Sequence, residues 1–185
     1  RLVARQNRYR LHAEQIRDTA LYAAGILELQ VGGPSVKPYQ PPGVWEAVAM
    51  RESNTHNYVQ DQGDGLRRRR MYTFWNRSAP PASMEIFDAP SRETCAVRRE
   101  RTNTPLQALV GLNDPTALAA ADALAARMGA HEGGADERLA FGFRLCTSRP
   151  PNARELAMLR SALQAEPADV AWSRVAIVLL NLDET

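Results

Sequence analysis

Residues 88–115 read DAPSRETCAVRRERTNTPLQALVGLNDP, and the part from Arg101 onward carries two helix starts in succession. Thr104, Pro105 and Gln107 stand at the cap, first and third positions of a helix. The threonine hydroxyl accepts a free backbone N–H, proline gives up an N–H that has no partner in a first turn, and glutamine reaches back to the cap. Asp114 and Pro115 repeat the cap-then-proline order ten residues later. Leu106, Leu109 and Val110, then Leu118, Leu124 and Met128, supply apolar faces. A short helix therefore turns at Asn113-Asp114 into a second one, and Thr104, Asn113 and Asp114 read as capping residues before anything else.

Working outward, the C-terminal side is helical throughout. His131-Glu132-Gly133-Gly134 breaks the pattern, and 136–146 forms the next helix with Leu139, Phe143 and Cys146 on one face. Arg149-Pro150-Pro151 stops it. Asn152 with Glu155 caps another through Leu156, Leu159 and Leu163, and Pro167-Ala168-Asp169 opens the last. That last helix carries a stripe of Trp172, Val175, Ala176, Leu179 and Leu180. On the N-terminal side, Tyr9, Ala13, Ile16, Ala20, Ala23 and Leu27 recur at helical spacing within 8–29, with Arg10, Glu14, Arg17 and Asp18 toward water. Val31-Gly32-Gly33-Pro34 is its expected stop.

Between these helical ends, Tyr58-Val59-Gln60 and the run 70–75 flank the turn-rich 61–65, a pattern that predicts a β-hairpin. Residues 76–103 follow as a long ordered loop with one helical turn near Met84. Loops of this length are uncommon and often functional. The expected architecture is a mostly α, bundle-like single domain over 1–185. It has about six helices, a hairpin and long loop within 56–103, and C-terminal helices within 104–183. No internal repeat is present.

Composition bounds the function. The 185 residues are 44% hydrophobic with a formal charge of +2, which fits a globular chain able to bury a core. That charge is unevenly spread, with nine arginines against four acids in 66–101 and seven against ten in 102–185. The middle can meet an anionic partner or dock on the acidic C-terminal part, and arginine suits fixed ion pairs. The four-arginine run 67–70 is short and without supporting basic residues, so nucleic acid is not an expected partner. Lys37 is the only lysine. The apolar run 175–180 is too short to cross a bilayer. The chain starts without Met and is expected to be the C-terminal module of a longer protein.

Motifs for common chemistry are absent from the sequence: no P-loop, GxGxxG, GxSxG, HExxH or CxxCH. No cofactor is expected within this segment. His12, His56 and His131 have no His or Cys at ligand spacing, so no metal site is expected. Cys95 and Cys146, 51 positions apart, match no metal or redox spacing; they form either a disulfide, if the protein is exported, or two buried thiols. Asn76-Arg77-Ser78 matches a glycosylation sequon. The candidate site is the arginine cluster Arg92, Arg98, Arg99 and Arg101 with Asn103, near Asp88, Glu93 and Glu100. Guanidinium forks beside helix N-termini suit an anion such as the sulfate or carboxylate of an acidic polysaccharide. The competing reading is structural: the arginines clamp the loop to Asp114, Asp122 and backbone carbonyls. Ordering so long a segment costs about 1–2 kcal/mol per residue, which something must offset.

The run 69–75, Ala79-Pro80-Pro81, Phe87-Asp88-Ala89-Pro90, the runs 95–99 and 101–109, and Leu112-Asn113-Asp114-Pro115 together resemble the planctomycete-specific C-terminal domain of unknown function. The run 14–18, the Gly32-Gly33-Pro34-Ser35 turn and the closing 179–184 resemble it too. The resemblance spans nearly the whole chain. It implies a periplasmic or cell-surface setting in an exported planctomycetal or verrucomicrobial protein, with a cytochrome c-like, haem-bearing domain upstream. It implies no catalytic residues. The function read from all this is a non-catalytic structural or interaction module whose partners are other domains of the same protein, with an anionic ligand at the arginines. The rival is an enzyme on acidic or sulfated polysaccharide using Asp88, Glu93 or His56 as acid–base residues, and a third reading is a docking module for the upstream electron-transfer domain.

Overall fold

The computed structural model describes residues 9–53, 56–183 and 185. Among them are eight α-helices: α1 (Ala13–Ala24), α2 (Val44–Val48), α3 (Ala82–Ile86), α4 (Pro105–Asn113), α5 (Pro115–Gly129), α6 (Ala135–Thr147), α7 (Ala153–Ala165) and α8 (Ala171–Leu180). Helix α5 lies at the centre, packed on α8, α1, α6 and α4. Its buried face is mostly alanine (Ala120, Ala121 and Ala125, with Leu124 and Met128), which lets neighbouring helices approach closely. On α6, Gly142 serves the same end: a Cβ there would stand 2.5 Å from the Met128 sulfur. Leu21 of α1, Leu139 and Phe143 of α6, Leu159 of α7, and Val175, Ile177 and Leu179 of α8 complete the core.

Helix starts follow the caps expected from sequence. The Gln107 N–H donates to the Thr104 hydroxyl and the Thr104 N–H to the Gln107 side chain. Asp114 accepts from the Thr116 N–H at 2.8 Å, and Asn152 with Glu155 forms a second reciprocal cap. The expected helix 8–29 is shorter. Residue 8, at its expected start, lies outside the described residues, and α1 ends at Gly25, whose φ of +76° turns the chain out of the helix.

The expected β-hairpin is not formed. Among the described residues, extended pairing is confined to isolated bridges, Glu28 with Arg68, Val36 with Thr73, and Asn76 with Ala79. The second arm, and Asp61 just after the first, pair with the proline-rich segment after α1 instead of with each other. The Asp61 N–H donates to the Lys37 carbonyl, and Val36 exchanges hydrogen bonds with Tyr72 and Phe74. Prolines 34, 38, 41 and 42 have no N–H to give, so the contact never lengthens into a ladder. The would-be turn and second strand become 3-10 helices, Gly63–Arg67 and Arg70–Tyr72. A small aromatic cluster forms where the arms meet: Trp45, 2% exposed, packs against Tyr58 and Phe74, with the Lys37 ammonium over both the Trp45 and Phe74 rings.

Candidate functional site

The central loop contains the expected helical turn, α3, which buries Met84. Beyond it, residues 91–106 are all exposed. Asp88, in a left-handed backbone conformation (φ +61°), ties the two ends of this loop. It accepts from the Thr102 N–H at 2.7 Å, from the Thr102 hydroxyl at 3.0 Å, and from the Arg10 guanidinium. Burial alone would raise the Asp88 carboxyl; these hydrogen bonds outweigh it and hold the group below its usual range.

The predicted site residues fall in three places. Arg92 lies over the Trp75 ring, 4.3 Å from its centroid, while the Trp75 indole N–H donates to the Ser91 carbonyl. Arg98 and Arg99 line a cavity of about 330 Å³ with Glu85, Asp88 and Glu100. Arg99 also reaches Glu14 of α1 through hydrogen bonds of 2.9 and 3.1 Å. Burial pushes Glu14 upward, but its backbone hydrogen bond and Arg99 together hold it low. Arg101 approaches the His12 ring at 3.2 Å and, with Asn103, lines a second and larger cavity. The loop is thus fastened to the N-terminal helix, not to Asp114 or Asp122 as the charge distribution suggested.

The larger cavity, about 1190 Å³, lies between α1 and α4, with α3, the start of α5 and the chain after α8 completing its lining. Leu11, Ile16, Val110 and Leu182 give it apolar surface. Its most buried cations are Arg17 and Arg70, neither of which stands out in sequence as a site residue. The helical pattern placed Arg17 toward water, yet its side chain is only 10% exposed. Its two terminal nitrogens donate to the carbonyls of Leu66 and Arg68. Arg70 is 3% exposed. Its guanidinium donates to the Ser83 hydroxyl, its backbone N–H donates to Asp18 at 2.7 Å, and no described carboxylate reaches ion-pair distance of it. Burial, with the Arg17 cation adding to it, pushes the Arg70 pKa down to about 10. The readable signal was the alternation in the run 67–70: in an extended segment Arg68 and Arg70 share the inward side, and Arg67 and Arg69 the outward.

The residues of the rival reading are not brought together. Asp88 is occupied by Thr102 and Arg10, Glu93 is exposed outside both cavities, and His56 lines neither. Among the described residues no group of three His, Cys, Asp or Glu is placed to hold a metal ion, and no helix is long and apolar enough to cross a membrane. Both cysteines are free thiols: Cys95 is exposed on the loop, and Cys146 is buried in α6 with its pKa pushed up to about 12 by that burial.

Residues 1–163 match the family model PSD1, described as a protein of unknown function (DUF1553). No curated protein and no solved structure matches the chain.

Proposed function

The chain belongs to the PSD1 family of proteins of unknown function (DUF1553), and from that premise we propose that it is a non-catalytic interaction module of a larger exported protein, one that offers an arginine-rich loop to an anionic ligand. One observation carries this reading. Residues 91–106 are exposed throughout, yet the loop is fastened at defined points by Asp88, Glu14 and Trp75. A loop held in place while its cations face water is a pre-ordered surface, and binding to it loses little further conformational freedom. Arg98 is the least engaged of these cations, with Arg92, Arg99, Arg101 and Asn103 around it. A sulfated or carboxylated polysaccharide has the matching charge. The setting is periplasmic or cell-surface, as in the planctomycetal proteins the sequence resembles, with any haem on an upstream domain.

The test is thermal unfolding with and without a heparin-like polyanion, at low and at high salt. The reading requires a saturable rise in melting temperature that salt suppresses. The Arg99 side chain is 37% exposed, so Arg99→Ala should cost well under about 1 kcal/mol of stability while abolishing much of that rise. A large fall in melting temperature with polyanion binding retained would make the arginines clamps only. Docking of an upstream cytochrome-type domain would use the same face. It would show as binding to an acidic protein partner with no response to polysaccharide.

A further inference from the structure

Arg70 poses a problem that the loop does not address. A guanidinium buried to 3% exposure is ordinarily paired with a carboxylate, because an unpaired buried charge is costly. Here the described carboxylates nearby are Asp18 and Asp114. Asp18 is engaged by the Arg70 backbone N–H and lies 3.7 Å from Arg17 and 4.0 Å from Arg69. Asp114 caps α5 and acts on Arg17 and Arg70 only at longer range. Arg69 is half-exposed and stands outside the cavity, so the buried cations there are Arg17 and Arg70, and of the two Arg70 is the one with no described carboxylate at ion-pair distance. The buried Nε atoms of Arg17 and Arg70 also have no hydrogen-bond partner. Arg10, at the same cavity, is matched separately by Asp88.

Arg17 and Arg70 both line the cavity of about 1190 Å³, as do Arg101, Asp114 and Asp183. Around it are Leu11, Ile16, Val110 and Leu182, with Ser83 beside Arg70. A cavity that joins apolar wall to convergent, buried polar groups has the form of a small-molecule site. We propose that this cavity binds an organic monoanion, an acidic head group on an apolar body, with the head at Arg70 and Arg17 and the body along α1 and α4. An acidic head group would give the buried Arg70 guanidinium the ion pair it lacks, and the apolar body would cover Leu11, Ile16, Val110 and Leu182. The site shares Arg101 and Asn103 with the loop, while Arg92, Arg98 and Arg99 lie outside it, and its ligand is of a different kind.

The experiment is calorimetric titration of the chain with octanoate, octanol and acetate. Octanol keeps the body without the charge, and acetate keeps the charge without the body. Octanoate should bind saturably, and the other two far more weakly. Arg70→Gln should weaken octanoate binding on the order of tenfold to a hundredfold, the loss expected when a charged hydrogen-bond donor is removed. If that variant fails to fold, Ala108→Trp decides, since Ala108 is an exposed residue of α4 on the cavity lining. It should block octanoate while leaving polyanion binding at the loop intact. Equal binding of octanoate and octanol, or octanoate binding unchanged in both variants, would overturn the site. Loss of polyanion binding in Arg99→Ala with octanoate binding retained would separate the two sites.

Discussion

The two halves of the molecule are held together by different means. Between α5 and α8 the chain is helical, each backbone group finds its partner four residues away, and side chains are left to pack. Leu124, Met128, Leu139 and Leu179 are completely buried there. Between α1 and α4 the chain is mostly irregular, and its carbonyls need partners from elsewhere. Arginines supply them. Arg68 donates to the carbonyls of Pro34, Gln30 and Gly32, Arg17 to those of Leu66 and Arg68, and Arg10 to that of Phe87. A guanidinium has five donors in a rigid fork and no acceptor, which makes it a suitable partner for clustered carbonyls. Buried arginine here does the task that a β-ladder does in a regular sheet.

The comparison can be broken by mutation, most forcefully in the bundle. Leu124→Ala, at a fully buried position, should cost about 3–5 kcal/mol and lower hydrogen-exchange protection across all helices together. In the irregular half, Arg68→Met should cost less, about 1–2 kcal/mol, since it removes charged hydrogen bonds to three carbonyls on exposed residues and the stacking on Tyr72 at 4.1 Å. Its exchange signature should be confined to residues 25–75. Loss of protection in α5 and α8 as well would mean that the halves unfold as one unit, and the contrast would fall.

Smaller effects sharpen the boundary. Thr104→Ala removes the cap of α4, where the loop ends and the helices begin, and should cost about 1 kcal/mol in chemical denaturation. Glu155 gives a pH-dependent counterpart within the bundle. The Arg149 guanidinium first, and the Asn152 N–H second, hold its carboxyl at about 2 against an ordinary value of 4.5. A folded-state value below the unfolded one contributes stability above pH 4.5 that is lost as pH falls toward about 2. Glu155→Gln should therefore flatten the acid limb of melting temperature against pH, by a small amount because the pair is solvent-exposed.

Much of the helical half was legible locally. Thr104-Pro105-Leu106-Gln107, Asp114-Pro115 and Asn152 with Glu155 each specify a helix start through groups within four residues of one another, so no distant contact is needed to read them. The apolar stripe of α8 was readable for the same reason. The hairpin reading failed because aromatic and β-branched residues report a preference for extended backbone without naming the partner. The segment bearing Val36 and Lys37 took the second arm and Asp61 beside the first.

Local sequence was enough for the family, the order of the C-terminal helices and a cationic central loop; that the loop is exposed came from the packing around it. Which cations are buried was settled by packing between distant segments. Arg17 looks solvent-facing by helical spacing, and Arg70 looks like one of four equivalent arginines. What separates them from Arg67 and Arg69 is the packing of α1 against the 3-10 helix Arg70–Tyr72 and the cavity left beside α4. Charge is written in the sequence, but the desolvation that makes a charge a binding site depends on what the rest of the chain places around it.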